Sequence, residues 1–189
     1  MDGIPARIED GWLVSARRLP SPNHDERPPG TAIDLLVIHG ISLPEGCFGQ
    51  GYVEALFTNR LDPGAHPAFA GLAGLRVSAH LFIDRQGSVT QFVPFHKRAW
   101  HAGESCFEGR PRCNDFSIGI ELEGCDHVPY EAVQYEVLVE IAQLLMAHYP
   151  LIRPERIVGH CHVAPRRKTD PGPAFRWTYF RQRITGEGA

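Results

Sequence analysis

Apolar residues occur in short runs separated by long polar stretches. Residues 33–38 form an apolar, β-branched run too short for an ordinary helix, and it reads as a buried strand. Residues 116–122 alternate. Phe116, Ile118, Ile120 and Leu122 share one face while Ser117, Gly119 and Glu121 share the other, because successive side chains of a strand point to opposite sides. Residues 77–84 and 88–93 are extended segments around a linker containing Gly87, the pattern of a β-hairpin. A long amphipathic helix is predicted over 129–148, with Val133, Val137, Leu138, Ile141, Leu144 and Leu145 as its stripe, Pro129 in its first turn and Pro150 beyond its end. Shorter helices are expected near 52–58 and over 173–184, and a short strand over 156–159. Residues 97–114 are polar and Gly-rich and read as loop. Residues 1–30, rich in Pro, Arg and Ser, read as an irregular lead-in. Strands and helices alternate irregularly, so the expected class is α/β (α+β): one domain over residues 1–189 with a central mixed β-sheet flanked by helices.

Composition narrows the functional classes. The chain has 189 residues, enough for one domain with a core that needs no disulfide staples. A hydrophobic fraction of 43% with 22% charged residues excludes a disordered chain or a coiled coil. The formal net charge of −3 offers no polybasic footprint for nucleic acid or an anionic membrane. No apolar run reaches the roughly 18 residues needed to span a bilayer, and no signal-peptide pattern opens the chain. Five cysteines, an odd number without CxxC spacing, read as reduced thiols of a cytosolic protein. Ten histidines raise the question of a metal.

Three positions draw attention as ligands. His39 follows the strand expected to end at Ile38, His160 follows the strand expected to end at Gly159, and Asp170 lies on a Pro-stiffened loop. Imidazole nitrogen and carboxylate oxygen are good zinc ligands, and catalytic zinc keeps three protein ligands plus an open position. Spacing alone leaves open whether these are ordinary hydrogen-bonded histidines at strand ends. Glu121 reads equally as a solvated or ion-paired carboxylate, and Lys168 as a surface lysine in a basic loop.

The run GHCHVAPRRKTDPGPAF over 159–175 resembles the signature of the type-2 N-acetylmuramoyl-L-alanine amidases, specifically their cytoplasmic branch that recycles peptidoglycan fragments. GWLVSARRLPSP, LLVIHGISLPEGCFG, LRVSAHLFIDRQG, KRAWHAGES and RCNDFSIGIELEG extend the resemblance from about Gly11 to Phe180. The resemblance implies the amidase-2 fold shared with peptidoglycan recognition proteins. It also implies Zn2+ held by His39, His160 and Asp170, with Glu121 as the carboxylate near the metal and Lys168 as the lysine near the reacting carbonyl. Arg76 and Arg112 fall where substrate peptide carboxylates are bound, and Trp100, with His101, would line the same wall. The implied substrate is a small-molecule muropeptide, an anhydro-N-acetylmuramic acid peptide, and the implied reaction is hydrolysis of the bond between the lactyl group and L-alanine. No nucleic acid or membrane partner is implied, and the oligomeric state is unreadable.

The chain departs from the family pattern twice. Relatives carry Tyr in the context His-Pro-Tyr-Phe, near the metal, where this chain has Ala68, and commonly Asn after the first ligand, where it has Gly40. Ala68 favours an alternative, a peptidoglycan-binding module without catalysis; a lytic amidase acting on intact murein is another. His162 is a tempting extra ligand, yet its family position does not demand one. His80 reads as structural, and His24, His66, His96, His127 and His148 as surface or packing residues.

Overall fold

A computed structural model describes residues 7–186. Its centre is a six-stranded sheet. The strands are β1 (Arg17–Arg18), β2 (Leu35–Ile41), β3 (Leu81–Ile83), β4 (Val89–Gln91), β5 (Ser117–Glu123) and β6 (Ile157–Gly159), in the spatial order β6-β2-β5-β3-β4-β1. All neighbours pair parallel except β3 and β4, which form the antiparallel hairpin. The sheet is therefore mixed, as the sequence pattern implies.

Because β2 and β5 are central and parallel, both of their faces are covered, which explains why β2 reads as a continuous apolar run. Leu36, Ile38, Ile118, Ile120 and Leu122 point to one side. There they pack with Leu138, Ile141 and Leu145 of helix α2 (Ala132–His148; α1 is the short helix Tyr52–Phe57) and with Phe180 and Ile184 of the C-terminal helix (Trp177–Thr185). Leu35 and Val37 point to the other side, against Ala102, Cys113, Phe116 and Val163. His39 and Glu121 lie on this second side and are register partners across the β2–β5 pairing.

Several elements differ from expectation for identifiable reasons. Strand β2 continues through His39 and Gly40 to Ile41, because pairing with 121–123 overrides the break in apolar pattern. His39 thus lies within a strand rather than after one. Helix α2 starts at Ala132, not Pro129. Glu131 is its N-cap, and the Gln134 side-chain oxygen accepts from the Glu131 amide in a capping box. Gln134 is fully buried, and its amide nitrogen donates to the carbonyls of Ile83 and Glu123 at the ends of β3 and β5. The lead-in is not irregular throughout: Ile8–Glu9 pairs with Trp12–Leu13, β1 joins the sheet edge, and His24–Asp25 pairs with Arg98–Ala99. Arg27 anchors the lead-in further. Its buried guanidinium donates to the carbonyls of Asn114, Asp115, Phe95 and Ser117, all far away in sequence. Within the segment read as loop, Cys106–Phe107 pairs with Arg110–Pro111.

Candidate active site

Three elements bring three ligand atoms together. His39 projects from β2, and His160 opens a short helix (His160–Val163) directly after β6. Asp170 sits on the loop that returns against that helix, where its carbonyl accepts from the Cys161 amide at 2.9 Å. His39 Nδ1 and His160 Nδ1 lie 3.0 Å apart, and Asp170 Oδ2 lies 3.2 Å from the first and 3.1 Å from the second. Both histidines are almost completely buried. Among the described residues this is the trio of His, Cys, Asp or Glu able to hold a metal ion.

The surrounding hydrogen bonds fit that use. His160 Nε2 donates to the Ala102 carbonyl at 3.1 Å, which leaves the Nδ1 lone pair facing the cluster. With His39 Nδ1 kept as the ligand atom, its Nε2 donates to His101 Nδ1 at 2.9 Å, and His101 Nε2 in turn donates to Ser117 Oγ at 3.1 Å. Two imidazole lone pairs and a carboxylate oxygen thus converge on one point with edges of 3.0–3.2 Å. Tetrahedral zinc with ligand bonds of about 2.0–2.2 Å needs edges only slightly longer. The His101 ring reaches this position because residue 119 is glycine: a Cβ there would stand 2.5 Å from the ring.

Burial governs the charges. It pushes the His39 imidazole down to about 4, so the ring stays neutral, as a ligand must be. Burial works to raise the Asp170 carboxyl, but the two imidazoles outweigh it and hold that carboxyl well below the usual range. Glu121 goes the other way: burial and then the neighbouring Asp170 charge push it well above the usual carboxylate range. Its Oε1 is 3.9 Å from His39 Nδ1, while Oε2 is buried without a partner.

These groups open into a cleft of about 210 Å³. Glu121, His101, His160, Lys168 and Asp170 form its polar wall, and Trp100 borders it beside the apolar side chains of Leu43, Leu72, Leu75 and Val77. The Trp100 indole donates to Asp25 Oδ1 at 3.1 Å, and Arg98 clasps the same carboxylate, with Nε at 2.6 Å. A larger groove, lined by Cys106, Arg166 and Arg167, contains none of the candidate groups.

Not every expected residue joins the cleft. Arg76 is exposed and borders an adjoining depression that shares Leu56, Leu72 and Leu75 with it. Arg112 is exposed, and its Nε pairs with Asp115 Oδ2 at 3.2 Å, outside the cleft lining. Ala68 lies exposed in a 3-10 helix (Pro67–Leu72) and does not border the cleft. His162 Nδ1 accepts from the Gly159 amide at 2.9 Å, away from the metal-type cluster. Sequence reasoning gave His101 only a wall, without its bond to His39, and missed the Asp25 clasp on Trp100. Gly119, a glycine inside an apolar strand pattern, was the available signal for a close approach.

The N-acetylmuramoyl-L-alanine amidase family model matches residues 29–173. The chain belongs to that family. This amidase is 55% identical over 178 residues to the 1,6-anhydro-N-acetylmuramyl-L-alanine amidase AmpD of Citrobacter freundii, covering 94% of this chain and 95% of that protein. It is 56% identical over 180 residues to AmpD of Escherichia coli K12, covering 95% and 98%. Its fold superposes on a crystal structure of a selenomethionine AmpD derivative with a TM-score of 0.91 and 54% identity, covering 94% of this chain and 99% of that one. The amidase AmiD from E. coli, solved in complex with anhydro-N-acetylmuramic acid-L-Ala-D-γ-Glu-L-Lys, matches with a TM-score of 0.58 and 32% identity, over 84% of this chain and 60% of that one.

Proposed function

We propose that this amidase hydrolyses the amide between the lactyl group of 1,6-anhydro-N-acetylmuramic acid and L-alanine of the stem peptide, in cytoplasmic peptidoglycan recycling. His39, His160 and Asp170 hold zinc in this reading. The observation that carries it is the convergence of three ligand atoms beside a buried, unpartnered Glu121 oxygen, in a chain more than half identical to amidases named for that substrate. No helix among the described residues is long and apolar enough to cross a membrane.

Zinc, when bound, lowers the pKa of water to about 7 and polarises a carbonyl. The protein supplies the rest. Glu121 accepts a proton from the attacking water as the new C–O bond forms. It then delivers the proton to the alanine nitrogen as the C–N bond breaks, leaving a lactyl carboxylate and a free amino terminus. Lys168 stabilises negative charge developing on the carbonyl oxygen. Trp100, fixed by Asp25, offers a flat wall on which the substrate is oriented. Loss of this activity lets anhydro-muropeptides accumulate and induces β-lactamase in hosts that have that circuit.

The test is mass spectrometry of the products from anhydro-muropeptide, with and without a chelator. Free anhydro-sugar and free peptide that disappear on chelation are expected. Full activity in zinc-stripped protein overturns the reading, and preference for intact sacculi over the soluble substrate replaces it with a lytic one.

A further inference from the structure

Tyr130 fills a slot directly behind the ligand cluster. Its ring is buried in the main core, edge-on to Phe175 at a centroid distance of 5.7 Å and to Tyr135 at 6.4 Å. Its hydroxyl leaves that core and donates to the Pro171 carbonyl at 2.8 Å, one residue beyond Asp170. Burial raises the phenol well above its ordinary value, with Glu121 and Asp170 adding to the effect, so the group stays protonated and keeps donating.

The slot exists because of two glycines. A Cβ on Gly40, the residue after His39, would stand 2.2 Å from the Tyr130 oxygen and 3.4 Å from its Cζ. A Cβ on Gly124, just beyond β5, would stand 2.3 Å from the ring. The hydroxyl therefore presses against the backbone next to one ligand and bonds the backbone next to another. A side chain at residue 40 and the hydroxyl in its present place exclude one another.

We propose that Tyr130 is a positioning residue for the metal centre: its hydroxyl, admitted by Gly40, sets the loop that presents Asp170 to His39 and His160. The inference rests on the proposed metal site. Two other backbone bonds, Cys161 N–H to Asp170 O and Gly172 N–H to Thr169 O, hold the loop's general path. The tyrosine therefore acts on the placement of the carboxylate rather than on whether the loop folds.

The experiment is zinc titration of chelator-stripped full-length protein against a competing dye, for wild type, Tyr130→Phe, Gly40→Ala and the double variant. Thermal melting of the metal-free proteins runs in parallel. Losing a bond that orients a ligand typically weakens metal binding by about 10–100-fold. Tyr130→Phe is expected at the low end, about 10-fold, since Asp170 keeps the Cys161 contact. Gly40→Ala is expected to weaken zinc binding in wild type. It should do so far less in the Phe background, where the nearest ring carbon leaves ordinary contact distance. Unchanged zinc affinity in Tyr130→Phe overturns the proposal even if its melting temperature falls. Equal losses from Gly40→Ala in both backgrounds overturn it too, and do not depend on how well Tyr130→Phe folds. Absence of zinc binding by wild type overturns the metal reading itself, and this inference with it.

Discussion

Replacing Glu121 by glutamine separates stability from catalysis. The residue is 8% exposed, and one carboxylate oxygen is buried without a partner. Leaving a buried polar group unsatisfied costs about 1–3 kcal/mol, and more when it is charged. Glutamine keeps the shape and removes the charge, so the metal-free variant should gain about 1 kcal/mol at pH 8. For a chain of this size that raises Tm by about 2–4 °C. The pH dependence has a definite sign. The carboxyl is raised well above its ordinary 4.5 by burial and by Asp170, so the folded protein binds this proton more tightly than the unfolded chain. Wild type therefore loses stability as pH rises from about 4.5 through the folded value, whereas the variant does not. The gap in Tm is absent below about pH 4.5, opens as pH rises through the folded value and then stays constant. Catalysis moves the other way, because loss of a positioned base costs about 10²–10⁴ in kcat. Melting curves of chelated protein across this pH range, with initial rates of peptide release from zinc-loaded protein, measure both effects. A variant less stable than wild type at pH 8, or one whose kcat stays within tenfold, refutes the placement of Glu121 as a buried, unpaired base.

Asp170→Ala should lose both zinc and activity, while His162→Ala keeps both; metal analysis of the purified variants decides, and near-stoichiometric zinc in Asp170→Ala contradicts the ligand assignment. Lys168→Ala should lower kcat by about 10²–10³-fold, the usual loss on removing a group that stabilises an oxyanion, with zinc content unchanged. Asp25→Ala frees the Trp100 indole and should raise KM several-fold at constant zinc content; an unchanged KM would show that the indole needs no clasp.

Much of this architecture is legible in the sequence, though unevenly. The alternation in 116–122 separated an apolar face from a face carrying Ser117, Gly119 and Glu121, and the structure uses both as expected except at Phe116, which precedes the strand and packs on the opposite side with Leu35 and Val37. The convergence of His39, His160 and Asp170 was not readable from spacing, because 121 and 131 residues separate His39 from its partners. It entered through the family resemblance, and the fold explains it: parallel pairing sets the carboxyl ends of β2 and β6 side by side. Arg76 and Arg112 likewise entered through the resemblance. Their positions match the family pattern, yet here both are exposed outside the cleft, and Arg112 is engaged by Asp115. The buried amide of Gln134, the Arg27 anchor and the Tyr130 hydroxyl were invisible for one reason. Each acts on a backbone carbonyl far away in sequence, and such a partner leaves no residue-type signature.

The pairing of Glu121 with His39 across β2 and β5 has a further consequence. Adjacent strands lie about 4.7–4.9 Å apart wherever a sheet forms, so the approach of the base to the ligand is a lattice constant of the sheet, not the product of a loop's conformation. Inserting or deleting one residue within either strand turns a whole row of side chains to the opposite face and sends the polar group into the helix-covered core. Loss of chemistry and loss of folding then arrive together. The surrounding loops, by contrast, are free to vary in length and sequence without disturbing that spacing. The amides of 119–122 and 37–39 should accordingly be among the slowest in the molecule to exchange with solvent deuterium, although they adjoin an open cleft.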